Sequence, residues 1–226
     1  MNVAIFGATG MVGAGVLLEC LDDARVQSVL VVTRRATGQR HAKLIEVLTN
    51  DFFNYDALTR HFARLDACFF CLGVTSAGLS EAEYTRLTHD LTLAAAQAML
   101  AAASRKNHLV FCFVSGMGTD ATEKGRTMWA RVKGKAENAL QRLPFRAAYM
   151  LRPGFIEPLR GVRSSTVWYR AFYVVGRPLF PLLRRLLPRQ VTSTVNIGRA
   201  MIALADKGYT RNVLDPSDIN TVANTT

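Results

Sequence analysis

Seven residues near the start, Gly7-Ala8-Thr9-Gly10-Met11-Val12-Gly13, space three glycines so that main chain can come close to a charged group. They join a short apolar run, Val3 to Phe6, to a helical pattern that begins at Met11. In this strand–turn–helix setting each glycine has its own task. Gly7 allows the tight turn, Gly10 lets backbone approach a pyrophosphate, and Gly13 lets helix and strand pack closely. Free N–H groups at the helix start, with Thr9, Met11 and Val12 between the glycines, would face the phosphates. A second cue follows the next strand. An acidic residue there, about 20 positions beyond the glycines, would bind a ribose 2′-hydroxyl. The position holds Arg34, with Arg35 next. Two guanidinium groups suit a 2′-phosphate and offer nothing special to a hydroxyl. The expected ligand is NADP(H) in preference to NAD(H).

Such residues need strands and helices in alternation to position them, and the chain has that pattern. Ser28 to Thr33 reads SVLVVT, a third strand runs near Leu44 to Leu48, and Ala67 to Leu72 is a continuous apolar run. Leu109 to Val114 and Ala147 to Leu151 complete six strands, the continuous runs being those expected of strands covered on both faces. One helix opens at Ser80, with Glu83 at capping-box spacing, and runs to about Ser104. Another covers Thr127 to Leu143 and stops before Pro144. The fold class expected is α/β, a doubly wound parallel sheet (Rossmann fold) in a single domain over 1–226. Residues 159–205 are expected to form a small, basic, aromatic-rich helical appendage, ending in a helix from Thr194 to Ala205, before a short strand at Asn212 to Leu214.

With the glycine loop, Asn50-Asp51-Phe52, Cys71-Leu72-Gly73-Val74-Thr75, Ser115, Lys133 and Arg152-Pro153-Gly154 in view, the chain resembles the atypical short-chain dehydrogenase/reductase superfamily. It is most similar there to the Tat-interacting oxidoreductase-like branch, through the CLG-x-T, VKG-x-x-E (Val132 to Glu137) and RPG signatures. The resemblance covers about the first 160 residues, and the NmrA-like proteins are further relatives. It implies that Asp51 and Phe52 flank an adenine, and that Leu72, Gly73 and Val74 line the adenosine ribose and pyrophosphate. Lys133 would bond the nicotinamide ribose, Pro153, Gly154, Phe155 and Ile156 would meet the carboxamide, and Ser115 would hold a substrate oxygen.

The resemblance fails at one position. The family's catalytic acid/base is a tyrosine four residues before the lysine, on the same helix face. Here that residue is Trp129. An indole N–H donates a hydrogen bond but does not titrate in the useful range, so proton transfer as the family performs it is disabled. Three readings stay open: a different proton donor (Tyr84, Tyr149, Tyr169, Tyr173 or water), a reaction needing only hydride transfer, as to a quinone or another electron-accepting substrate, or NADP(H) binding without turnover, as the NmrA-like relatives show within the superfamily. The function expected is an NADP(H)-dependent oxidoreductase of a small, apolar substrate, with an NADP(H)-sensing binding protein as the alternative. Trp129 itself would wall the pocket or simply pack.

Other residues offer less. Cys68 and Cys71 have C-x-x-C spacing, but residues three apart on a strand point to opposite faces. Cys20 and Cys112 fit small core positions. His41, His61, His89 and His108 show no i, i+4 pair, so no metal is expected. Asp120 and Glu123 fall in a polar loop after Ser115. The net charge is +11, and eight arginines between Pro158 and Ala205, with no acid among them, supply most of the excess. Mixed with Trp168, Tyr169, Phe172, Tyr173 and Phe180, they suit closure of a substrate cleft or peripheral contact of 159–189 with an anionic membrane. No nucleic-acid module accompanies the charge, so no nucleic-acid partner is expected. A strand pattern beginning directly after Met1 leaves no room for a secretory signal. The four thiols are expected to be reduced and the protein cytoplasmic, with a place on the inner face of a membrane as the alternative.

Overall fold

The computed structural model describes residues 1–104, 108–162, 187 and 189–225. Apolar runs rich in Val, Ile and Phe form the central strands: β1 (Asn2–Phe6), β2 (Ser28–Thr33), β3 (Leu44–Leu48), β4 (Ala67–Phe70), β5 (Val110–Val114) and β6 (Ala147–Leu151). A two-residue strand, β9 (Val213–Leu214), completes a seven-stranded sheet in the order β3-β2-β1-β4-β5-β6-β9. Every pairing is parallel. The chain therefore winds outward from β1 to β3, crosses back, and resumes at β4 on the other side of β1. The reversal leaves a crevice at the carboxyl ends of β1 and β4, where such sheets bind ligands.

The side chains of β1 alternate between two core layers, as the pleat requires. Val3 and Ile5 face one layer, beneath α1 (Met11–Asp22), α6 (Thr194–Lys207) and α7 (Pro216–Ala223). Ala4 and Phe6 face the other, beneath α2 (Thr59–Phe62), α4 (Leu91–Ala102) and α5 (Met128–Gln141). In that second layer Phe6, Phe70 and Phe111 stack along neighbouring strands, with ring centroids 5.2 and 5.8 Å apart. Aromatic rings offset in this way add to the burial of their area.

Four features depart from the reading of the sequence. The helix expected to run unbroken from Ser80 consists of α3 (Glu81–Thr85), a π turn at Arg86–Asp90, and α4. The capping box of Ser80 and Glu83 is present. Second, β7 (Phe155–Glu157) pairs with β8 (Val191–Ser193) in a separate two-stranded parallel ribbon, which closes the base of the basic stretch. Third, α7 follows β9, with an Asp215–Asp218 capping box and Pro216 in its first turn.

Fourth, the helix from Thr194 belongs to the core instead of an appendage. Ile197, Ala200, Met201, Ile202 and Leu204 are fully buried. Two glycines allow the contact with α1: a Cβ on Gly15 would lie 2.5 Å from Thr194 Cβ, and one on Gly198 would lie 2.8 Å from Glu19 Cγ. The Glu19 carboxylate, 8% exposed, accepts bonds from Arg160 at 2.8 Å and from Arg199 at 3.1 Å, while Arg160 also reaches Asp22 at 2.7 Å. Two of the eight arginines are thus matched by acids of α1. Arg163, Trp168, Tyr169, Arg170, Phe172, Tyr173, Arg177, Phe180, Arg184 and Arg185 lie outside the described residues, and with them most of the membrane-contact reading. Among the described residues no helix is long and apolar enough to cross a membrane.

Candidate functional site

The glycine loop occupies the crevice between β1 and β4. Gly7 has φ +79°, and a Cβ there would sit 2.7 Å from the main chain of Cys71 and Leu72, so loop and β4 end touch backbone to backbone. A Cβ on Gly13 would lie 2.2 Å from the Gly7 carbonyl oxygen. Gly10 differs: its nearest neighbour would be the Gly7 oxygen at 3.3 Å, and around Gly73 there is nothing within 4 Å. The first two glycines are closed by protein, and the last two are open. The start of α1 supports a ligand role. Its N-cap is Gly10, no side chain caps it, and no acid occupies its first turn. The starts of α3, α6 and α7 carry side-chain caps, whereas that of α5, like α1, carries none. A helix start left open beside unfilled space fits a phosphate-bearing group, whose oxygens would accept from the N–H groups around Met11, Val12 and Gly13.

Along the crevice, Arg34 and Arg35 follow β2, both exposed and with no ion pair among the described residues. The Thr33 hydroxyl donates to the Arg35 carbonyl at 2.9 Å and fixes that turn. Asp51 is exposed, and its carboxylate accepts the Phe53 N–H at 2.8 Å. Phe52 is a correction in orientation: it is buried against Phe6, with ring centroids 6.4 Å apart, and backs the cleft from the core side. The exposed ring at this bend belongs to Phe53, which lies beneath the Arg86 guanidinium at 5.5 Å. Leu72 is half-buried, while Gly73 and Val74 are exposed at the end of β4.

Ser115, Lys133 and Arg152 meet at the ends of β5 and β6. The Ser115 N–H donates to Leu151 O at 2.7 Å, and its hydroxyl is 3.0 Å from that of Thr119. Lys133 projects from α5 to the end of β5, with Nζ 3.5 Å from Val114 O and 5.5 Å from the centroid of the Phe113 ring. Burial lowers this lysine to about 8, against the opposing pull of Glu137. Trp129, one turn earlier, packs on the loop after β5: a Cβ on Gly118 would be 3.4 Å from its ring. Pro153 is buried and its carbonyl accepts the Met117 N–H at 3.0 Å, while Phe155 is exposed and Gly154 and Ile156 are half-buried beside it.

Two signatures that looked separate are one unit. Glu137 of VKG-x-x-E is fully buried, and both its oxygens accept from Arg152 of RPG, at 2.5 to 3.2 Å. Gly134 of the same signature lets the Asp120 carbonyl lie against α5, where a Cβ would be 1.8 Å from that oxygen. Asp120 organises its loop by accepting from Thr122 and Gly125, and those bonds lower its carboxyl. Two of the candidate tyrosines are described, and both are buried. Tyr84 is buried and raised by that burial, and Tyr149 is buried on the α1 side with its hydroxyl bonded to Tyr209. Tyr169 and Tyr173 lie outside the described residues. Cys68 and Cys71 pack into opposite core layers. Among the described residues no three His, Cys, Asp or Glu side chains could hold a metal.

Residues 7–157 match a family of NAD(P)H-binding domains. Among curated proteins the chain is 32% identical over 162 residues to the mitochondrial protein fmp52 of Emericella nidulans, a match covering 69% of this chain and 66% of that protein, just under two thirds of its length. Among solved structures it is similar to an oxidoreductase of the short-chain dehydrogenase/reductase family from Burkholderia thailandensis (18% identity, 98% and 92% of the two chains, TM-score 0.66). It is also similar to the enzyme WbmF of Bordetella bronchiseptica in complex with NAD+ (16% identity, 99% and 77%, TM-score 0.64). At these identities the solved structures speak for the fold. The fmp52 relatives correct the cytoplasmic expectation, since fungal proteins of that name are designated mitochondrial. The physical reason is simple: a strand pattern close to Met1 is read against the secretory route alone, and it says nothing about other compartments.

Proposed function

The chain belongs to the NAD(P)H-binding family, and from that premise we propose that it is an NADP(H)-dependent oxidoreductase acting on a small molecule held beyond Ser115. The observation that carries the reading is the open start of α1 beside Gly10, with two arginines at the end of the neighbouring strand that make no ion pair among the described residues. The pyrophosphate would rest on the α1 N–H groups, and a 2′-phosphate on Arg34 and Arg35. When bound, the nicotinamide supplies or accepts a hydride.

The remaining chemistry belongs to the side chains. Thr119 donates its hydroxyl to Gly116 O, so Ser115 donates to Thr119 and presents its own oxygen as an acceptor to a substrate hydroxyl. Lys133, lowered to about 8, is mostly protonated at neutral pH yet gives up a proton readily, and stands in for the missing phenol. Trp129 walls the cleft. A second reading, NADP(H) binding without turnover, is favoured by the burial of Tyr84 and Tyr149.

Calorimetry with NADPH and NADH separates the cofactor question from the catalytic one. NADPH is expected to bind at least tenfold more tightly, and Arg34→Ala to remove about 1 kcal/mol of that preference while leaving NADH unchanged. Equal affinities in the parent protein would refute it.

A further inference from the structure

We propose that Lys133 is a nucleophilic amine that condenses reversibly with small aldehydes at the carboxyl end of β5, an activity that goes beyond the hydride transfer above and needs no cofactor. An ammonium is inert as a nucleophile, and an ion pair holds a lysine in that form. Lys133 has no ion pair among the described residues. Its Nζ makes one bond there, to Val114 O at 3.5 Å, the outer limit for a hydrogen bond, and the Phe113 ring centroid lies 5.5 Å away.

The acids that could hold this amine are engaged elsewhere. Glu137 follows one turn later on α5, the spacing at which lysine and glutamate pair along a helix. Both its oxygens are taken by Arg152, the charged residue that β6 brings to α5. The pull of Glu137 on Lys133 is therefore outweighed by burial, which lowers the amine to about 8. The other elements packed on α5 add no partner. On α3, Glu81 is bonded to Arg131 at 2.7 Å and Tyr84 is buried. In the π turn, Asp90 is bonded to His89 at 2.7 Å, and Arg86 lies over Phe53. No charged residue belongs to α4, and Asp120, in the loop after β5, accepts from Thr122 and Gly125. Trp129, one turn before Lys133, has only an N–H to offer, which cannot accept from an amine.

Lysines kept out of water and out of ion pairs in this way are the ones that form Schiff bases. Lys133 is half-buried and so is not sealed off. With a value near 8, about one molecule in ten carries the free amine at pH 7. Its lone pair attacks the aldehyde carbon, and the C=O π pair moves to oxygen. A proton passes from nitrogen to that oxygen, giving a carbinolamine. Loss of water forms the C=N bond, addition of water reverses it, and nothing is oxidised or reduced. The carbinolamine hydroxyl is a donor, and the oxygen of Ser115, the residue after Val114, is an acceptor at the same strand end.

The test treats the cofactor-free full chain with propionaldehyde and cyanoborohydride at pH 7, and reads propylated lysine at each site by peptide mass spectrometry. Lys133 should be labelled at least tenfold faster than Lys135, which is exposed two residues further along the same helix. The ratio of the two rates should fall as the pH rises past about 8, because Lys133 is by then already free. Equal rates at pH 7, faster labelling of Lys135, or a ratio that does not change with pH would each overturn the inference. Since no NADPH is present, the imine and the cofactor reading fail separately. Tight NADPH binding, measured calorimetrically, with slow labelling of Lys133 removes only the imine. Fast labelling in a chain that binds no NADPH removes only the cofactor reading.

Discussion

The pair joining α5 to the end of β6 gives a prediction with an asymmetric outcome. The Glu137 side chain is 1% exposed and the Arg152 side chain 22%. Replacing Arg152 by Ala leaves a carboxylate with no water and no counter-charge, a loss of about 3–5 kcal/mol. Replacing Glu137 by Gln keeps an acceptor and leaves the guanidinium, which reaches solvent, to rehydrate, at about 1–2 kcal/mol. Arg152→Ala should therefore be the worse variant by about 2 kcal/mol, although both remove the same ion pair. The assay is urea unfolding followed by circular dichroism. With m near 2–3 kcal/mol/M, the Arg152→Ala midpoint should fall by about 1–2 M. The double variant Glu137→Leu/Arg152→Met removes both charges and should recover to within about 1–2 kcal/mol of the parent. A single-variant loss below about 1 kcal/mol, or a double variant no better than Arg152→Ala, would refute the account of a buried charge needing its partner.

Other outcomes follow from the same geometry. Trp129→Tyr restores a titratable hydroxyl one turn before Lys133, and NADPH oxidation across aldehydes, ketones and quinones should rise by about 10²-fold or more if proton transfer limits the protein. Lys133 folds with its value lowered by burial to about 8, while the unfolded chain keeps the ordinary 10.5. The unfolded state thus holds more protons between those values, and native stability rises with pH across that window. Lys133→Met should abolish the rise, its stability advantage being largest below pH 8 and gone above 10.5, as read from midpoints along a pH series. Gly13→Ala drives a methyl into the Gly7 carbonyl and should lose both NADPH binding and stability. Gly73→Ala meets no protein atom within 4 Å, so its unfolding midpoint should be unchanged while NADPH affinity falls.

Features carried by local pattern were legible in the sequence, and those carried by distant partners were not. Continuous apolar runs marked β4 to β6 because strands covered on both sides have no polar face to interrupt them. The glycine loop was legible because turn, approach and packing each demand a missing side chain within seven residues. The partnership of Glu137 with Arg152 was hidden, since a helix and a strand end meet there across 15 residues of chain. Likewise the sequence does not show that Arg160 and Arg199 are paired, because their partner Glu19 lies 141 and 180 residues away. Phe52 and Phe53 could not be told apart by type, because only the bend after β3 decides which ring faces the core. The three-residue strands β7 and β8 are too short for periodicity to register. The π turn at Arg86–Asp90 keeps the composition of an ordinary helix.

The seam between α1 and α6 also governs how the protein is made. The apolar back of α1, with Val16, Leu17 and Cys20, is covered by a helix that leaves the ribosome long afterwards, as the 180-residue separation of Glu19 and Arg199 shows. At ordinary synthesis speeds that interval is roughly 10–40 s. Throughout it the nascent glycine loop and its helix lack this packing partner, and the Gly15 and Gly198 contact cannot form until residues 194–207 have emerged. On the proposed function, cofactor capture should follow the emergence of α6, and a chaperone that shields α1 during those seconds should raise the soluble yield more than added cofactor does.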